Sequence, residues 1–182
     1  MPRIAPITGK SDVPAAHQRV VDAVVAVFGN VRGPFSMLLH SPGLAERVLP
    51  LVTFFREQSV VDARLRSVAI LSAVREREAA YVWSAQTAAA RRNGVSETTI
   101  DVLRAKGDPA GLPAEEREIV VYVRQLMRTN RVEAATFETL LKRHGEQWLV
   151  EMTAAASYFA MLSGVVNAFE VPAPPDGDKL TA

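Results

Sequence analysis

Residues 79–94 read AAYVWSAQTAAARRNG, and the reading of this stretch decides the fold. Alanine-rich spacing favours a helix. Its close is marked by Arg91 and Arg92, placed where carbonyl ends attract cations, and by Gly94 as the stop. Positions 79, 82, 86 and 90 fall in one narrow stripe, because steps of three and four residues nearly close a turn. Along that stripe stand Ala79, Val82 and Gln86. Where a pocket faces this stripe, its wall would be apolar with a single amide, which can orient a carbonyl or hydroxyl but cannot act as a base near neutral pH.

The same helical grammar extends in both directions. Asp62 caps ARLRSVAILSAVRERE, whose Leu65, Val68, Ala69 and Ser72 share a face. Upstream, SPGLAERVLPLVTFFREQ opens with Ser41 as N-cap and Pro42 at the first helical position, and Pro50 inside it predicts a kink. Ser11, Asp12 and Pro14 mark the start of a first helix that ends near Gly29. Downstream, Ser96 caps a short helix running to Gly107, GDPAGLP is a loop, and Pro113 opens a helix with an apolar stripe at Ile119, Val120, Val123, Leu126 and Met127. EAATFETLLKRHG is a further helix. Strand alternation is scarce throughout, so the fold class is all-α. Residues 1–173 form one domain, and 174–182 a flexible Pro-rich tail.

Composition narrows the functions available. The 182 residues suit one domain. A net charge of +1 gives no reason to expect nucleic acid or an anionic membrane as partner. The chain contains no cysteine, which removes disulfides, thiolate metal sites and thiol redox cycles. Its three histidines, His17, His40 and His144, have no metal-binding spacing, so no metal is expected. The N-terminus lacks a signal-peptide core, and a cytoplasmic location is expected. From Met152 to Phe169 the chain runs 18 residues without a charge. Thr153, Ser157, Ser163 and Asn167 favour a buried central helix there over a membrane span. Ala156, Ala160, Gly164 and Ala168 recur every four residues, a spacing that permits close helix packing.

GPFSMLLHSPGLAERVLPL, RLRSVAILSAVRE, residues 79–94 and VVNAFEVPAP occur in the order found in the carboxymuconolactone decarboxylase family, which includes the alkylhydroperoxidase D-like proteins. The chain resembles that family over roughly residues 30 to 173. The resemblance implies an alkylhydroperoxidase D-like helical domain that assembles through its long helices as trimers or hexamers. In the family's peroxidase branch the quoted helix carries a Cys-x-x-Cys-x-x-x-His motif with an upstream glutamate. Here those positions hold Ala79, Val82, Gln86 and Ser67. Thiolate attack on a peroxide has no residue to perform it. The decarboxylase-like branch reads Tyr-Glu-Trp with a histidine three residues later. This chain keeps Tyr81 and Trp83 but has Val82 for the glutamate and Gln86 for the histidine.

The resemblance therefore implies a cofactor-independent decarboxylase, lyase or isomerase acting on a small organic acid or lactone. The alternative is a member without turnover that serves as a small-molecule-binding or structural oligomer. In the catalytic reading His40 delivers a proton, Gln86 or Tyr81 stabilises an oxyanion, and Arg64 or Arg66 anchors a carboxylate. Phe35, Met37, Val82, Trp83 and Phe169 would build the pocket walls. Each has a structural counterpart. His40 can cap its turn and pack on Pro42, and Gln86 can bond a neighbouring backbone. The two arginines can pair with Glu76 or Glu78, and the aromatics can be ordinary core.

Overall fold

The computed structural model describes residues 1–180. Its α-helices are α1 (Gln18–Phe28), α2 (Pro34–Leu38), α3 (Pro42–Glu57), α4 (Ala63–Glu76), α5 (Ala80–Arg92), α6 (Glu97–Arg104), α7 (Ala114–Thr129), α8 (Ala134–His144) and α9 (Glu146–Ala168). There is no strand among the described residues.

α4 is the axis of the molecule. Residues 65–75 are buried without interruption, because α5, α7 and α9 enclose the helix from three sides. Asp62 starts it as the sequence predicts, its Oδ1 accepting from the amides of Arg64 at 2.9 Å and Leu65 at 3.2 Å. Such a cap contributes about 1 kcal/mol. Polar residues that enter this core are neutralised locally. Ser72 donates to the Val68 carbonyl at 2.8 Å, and the wholly buried Thr87 donates to that of Trp83 at 2.8 Å. Glu76 is buried against Arg124 and Arg128.

Some boundaries differ from the sequence expectation. The first helix begins at Gln18, after 3₁₀ turns at Lys10–Asp12 and Ala15–His17. Asp12 does not cap it. Its carboxylate instead accepts from the amides of Thr8 at 2.8 Å and Gly9 at 3.1 Å, closing the preceding turn. Ser41 stands at the N-cap of α3, but its hydroxyl makes no capping bond. α3 runs on through Pro50, which lies on the exposed side.

α9 begins at Glu146, six residues before the uncharged run, and is by length and composition the one described helix able to cross a membrane. One side packs against α2, α4, α5 and α8. The other leaves Val150, Ala154, Ser157, Met161 and Gly164 exposed. Asn167, a polar residue of the uncharged run, finds its partner within the chain by donating to the Arg77 carbonyl at 2.7 Å.

Residues 174–180 of the Pro-rich tail lie along α5, and the last two residues of that tail lie outside the described residues. Asp178 accepts from Arg91 at 2.5 and 2.9 Å and from Arg104 at 3.3 Å. Gly177 meets Ser84 so closely that a β-carbon there would stand 1.7 Å from the Ser84 hydroxyl oxygen.

Candidate active site

A cavity of about 290 Å³ opens between the end of α1, the turn into α2, and helices α3, α5 and α9. Its apolar walls include Phe28, Phe35, Val52, Val82, Phe159 and Leu162. The α5 face that lines it carries Tyr81, Val82, Ala85, Gln86, Ala89 and Arg92. This is not quite the stripe the sequence suggests. Ala79 and Ala90 are wholly buried and turned to the core, so the cavity face is rotated toward Ala85 and Ala89.

Among the described residues three arginines line this space, Arg32, Arg56 and Arg92, and no carboxylate does. Arg56 is braced. Its guanidinium sits 5.1 Å from the centroid of the Phe28 ring and donates to the Val27 carbonyl at a long 3.4 Å. Arg32 and Arg92 have no hydrogen bond or ion pair among the described residues. Several arginines elsewhere are paired with carboxylates: Arg64 with Glu115 and Glu116, Arg91 with Glu97 and Asp178, and Arg143 with Glu118. An apolar cavity with unanswered positive charge at its wall favours an anion of small size.

Tyr81 is buried at 9% exposure, and its hydroxyl has no hydrogen-bond partner among the described residues. Burial pushes its phenol above the ordinary tyrosine value, and the positive charge of Arg32 partly offsets that. The hydroxyl therefore keeps its proton at neutral pH and can donate it to a ligand. Gln86, half-buried one turn further along, adds amide donors and an acceptor.

Of the residues expected to form a site, Phe35, Tyr81, Val82 and Gln86 meet at this cavity, and the others do not. His40 is exposed and faces the N-terminal segment, with its Nε2 2.9 Å from the Ala5 carbonyl. Arg64 is engaged by α7 carboxylates, not by Glu76 or Glu78. Arg66 is buried and donates to the Val61 carbonyl at 2.6 Å. Met37 is core, and Phe169 caps α9 outside the cavity. Trp83 is wholly buried away from the cavity, under Arg104, whose Cζ lies 5.9 Å from its ring. His144 is half-buried and stacked on Trp148 at 3.8 Å. The three cavity arginines are the functional groups that sequence reasoning missed. Arg92 alone left a signal, since it continues the face of Ala85 and Ala89 by one further turn.

No curated protein matches the chain in sequence. In fold it is similar to the alkylhydroperoxidase AhpD core of an uncharacterized peroxidase-related protein from Ralstonia eutropha, at 15% identity over 95% of each chain, with a TM-score of 0.76. A Cys-to-Ala variant of a debrominase, crystallised with 2,3,4-tribromopyrrole, is similar at 16% identity over 96% of this chain and 95% of its own, with a TM-score of 0.72. A protein of unknown function from Agrobacterium tumefaciens matches at 16% identity over 76% of this chain and 96% of its own, with a TM-score of 0.66. Residues 42–121 match the carboxymuconolactone decarboxylase family. That match spans less than half of the chain, and the helical architecture is that of AhpD-like folds.

Proposed function

We propose that the protein is a cofactor-independent enzyme of decarboxylase, lyase or isomerase type that acts on a small organic acid or lactone. The observation that carries this reading is the cavity itself: three arginines, a phenol and an amide over an apolar floor, with no carboxylate among the described residues to answer the charge. Arg56, already held against Phe28, is the anchor for the substrate carboxylate, where a guanidinium can form two parallel bonds. Gln86 and Tyr81 supply donors to the oxygen on which charge gathers. In a decarboxylation the bond to the carboxyl carbon breaks, carbon dioxide leaves, and the electron pair passes into a conjugated carbonyl as an enolate. A proton then returns to carbon. Neither a thiol nor a metal is required by that sequence of events.

Calorimetry and co-crystallisation with a panel of small aromatic and lactone acids, with products followed by NMR, test the proposal. The expected result is an acid seated beside Gln86 and Arg56 that is converted on incubation. A panel that never enters the cavity rules the reading out. Binding with no conversion anywhere in the panel supports a second reading, a small-molecule-binding oligomer without turnover. That reading is favoured by the fact that no histidine or carboxylate lines the cavity among the described residues.

The proposal includes a cytoplasmic protein that self-associates as a trimer or hexamer. Support comes from the exposed side of α9, where Val150, Ala154, Ser157, Met161 and Gly164 follow one another at helical spacing. Light scattering on the purified protein reads the assembly directly, and a monomer at micromolar concentration removes it.

A further inference from the structure

We propose that Gly33 is a positioning residue that sets the Tyr81 hydroxyl into the cavity beside Arg32 as its proton donor. The inference rests on the catalytic reading of that cavity. Gly33 adopts φ +59°, ψ −139°, a conformation that residues with a β-carbon rarely enter. A β-carbon there would lie 2.2 Å from Tyr81 Cε1, 2.6 Å from its Cζ and 2.8 Å from its hydroxyl oxygen. The phenol ring thus rests on bare backbone. That backbone is held in turn: Ser36 donates to the Gly33 carbonyl through its hydroxyl at 2.7 Å and its amide at 3.1 Å. Pro34 then starts α2.

Arg32 immediately precedes this turn, so one short segment delivers both the space for the ring and a cation near it. The other charged groups of the cavity are Arg56 from α3 and Arg92 from α5. α1 contributes Val27 and Phe28, α2 contributes Pro34 and Phe35, and α9 contributes Phe159 and Leu162, none of them charged. When Tyr81 protonates a substrate carbanion, its O–H bond breaks and a C–H bond forms. The phenolate left behind is balanced by Arg32, and water at the mouth returns the proton.

Incorporating 3-fluorotyrosine into the full chain gives a fluorine signal for each of the three tyrosines. The Tyr81 signal is identified by its loss in Tyr81→Phe. Its titration is then followed in the wild-type sequence, Arg32→Gln and Gly33→Ala. Arg32→Gln should raise the Tyr81 midpoint by on the order of one pH unit, and this effect should shrink in the Gly33→Ala background. Unchanged midpoints in folded variants overturn the proposal. Should Gly33→Ala not fold, the wild-type protein still decides: contacts from the Gly33 α-protons to the Tyr81 ring are expected in a proton NMR experiment, and their absence overturns it.

With a panel acid that reacts, Tyr81→Phe and Gly33→Ala should each lower kcat by about 100-fold while leaving KM nearly unchanged. Loss confined to KM overturns the donor role. These results separate from failure of the catalytic reading itself, which would appear as no bound or converted acid in the wild-type protein.

Discussion

α5 has two working faces, and adjacent arginines show how they differ. Arg91 points to the side covered by residues 174–180 and is saturated by Glu97 and Asp178. Arg92 lines the cavity and has no hydrogen bond or ion pair among the described residues. Beneath the first face lies Trp83, wholly buried; beneath the second lie Val82 and open space. One face spends its charge on holding the fold, and the other keeps its charge available. The lesson is that an arginine's neighbours, rather than its position on a helix, mark it as structural or ligand-binding.

The sharpest way to test the structural face is Trp83→Ala. Removal of a wholly buried indole should cost about 3–5 kcal/mol, read as a lower urea midpoint. A loss below about 1 kcal/mol would mean that the face is loosely packed. Across the cavity from α5, Arg56→Gln on α3 should leave the urea midpoint within about 0.5 kcal/mol, since the residue is exposed and bonded only weakly. It should instead weaken binding of a panel acid by about 30-fold, the loss expected for a charged hydrogen-bonded contact of about 2 kcal/mol. Equal binding in the variant would erase the distinction between the faces.

A smaller effect is expected from Asp178→Asn, which should destabilise by less than about 1 kcal/mol and leave acid binding unaltered. Faster amide exchange over residues 174–180 would report it. The last contrast is with pH. The hydrogen bond from Arg91 holds the Asp178 carboxyl below its ordinary range. Because the folded value is depressed, the contact contributes above the unfolded value of about 4 and is lost as pH falls through the folded one. Exchange over residues 174–180 should therefore accelerate under acid in wild type and show no such step in Asp178→Asn.

Helix identity was legible because its causes are local. The Asp62 cap, the Ser96 cap and the glycine after α5 act within one turn of where they stand in sequence. The direction a helix faces is less local. Ala79, Val82, Gln86 and Ala90 form an acceptable stripe on a wheel, yet packing of Ala79 and Ala90 into the core turns the open face toward Ala85 and Ala89. The site was half legible for the same reason. Tyr81, Val82, Gln86 and Phe35 sit in stretches that carried the family resemblance. Arg32 lies in the connection before α2 and Arg56 at the end of α3, and only tertiary folding brings them to α5. His40, Arg64 and Arg66 misled because each is a polar residue at a helix boundary, where local carbonyls and carboxylates compete for it.

The exposed methyl of Ala85 on the cavity wall has a practical consequence in a chain without cysteine. Ala85→Cys would introduce the molecule's single thiol at the mouth of the cavity, on a rigid helix. Its alkylation rate would then serve as an occupancy gauge for any compound, whatever its chemistry and whether or not it is turned over.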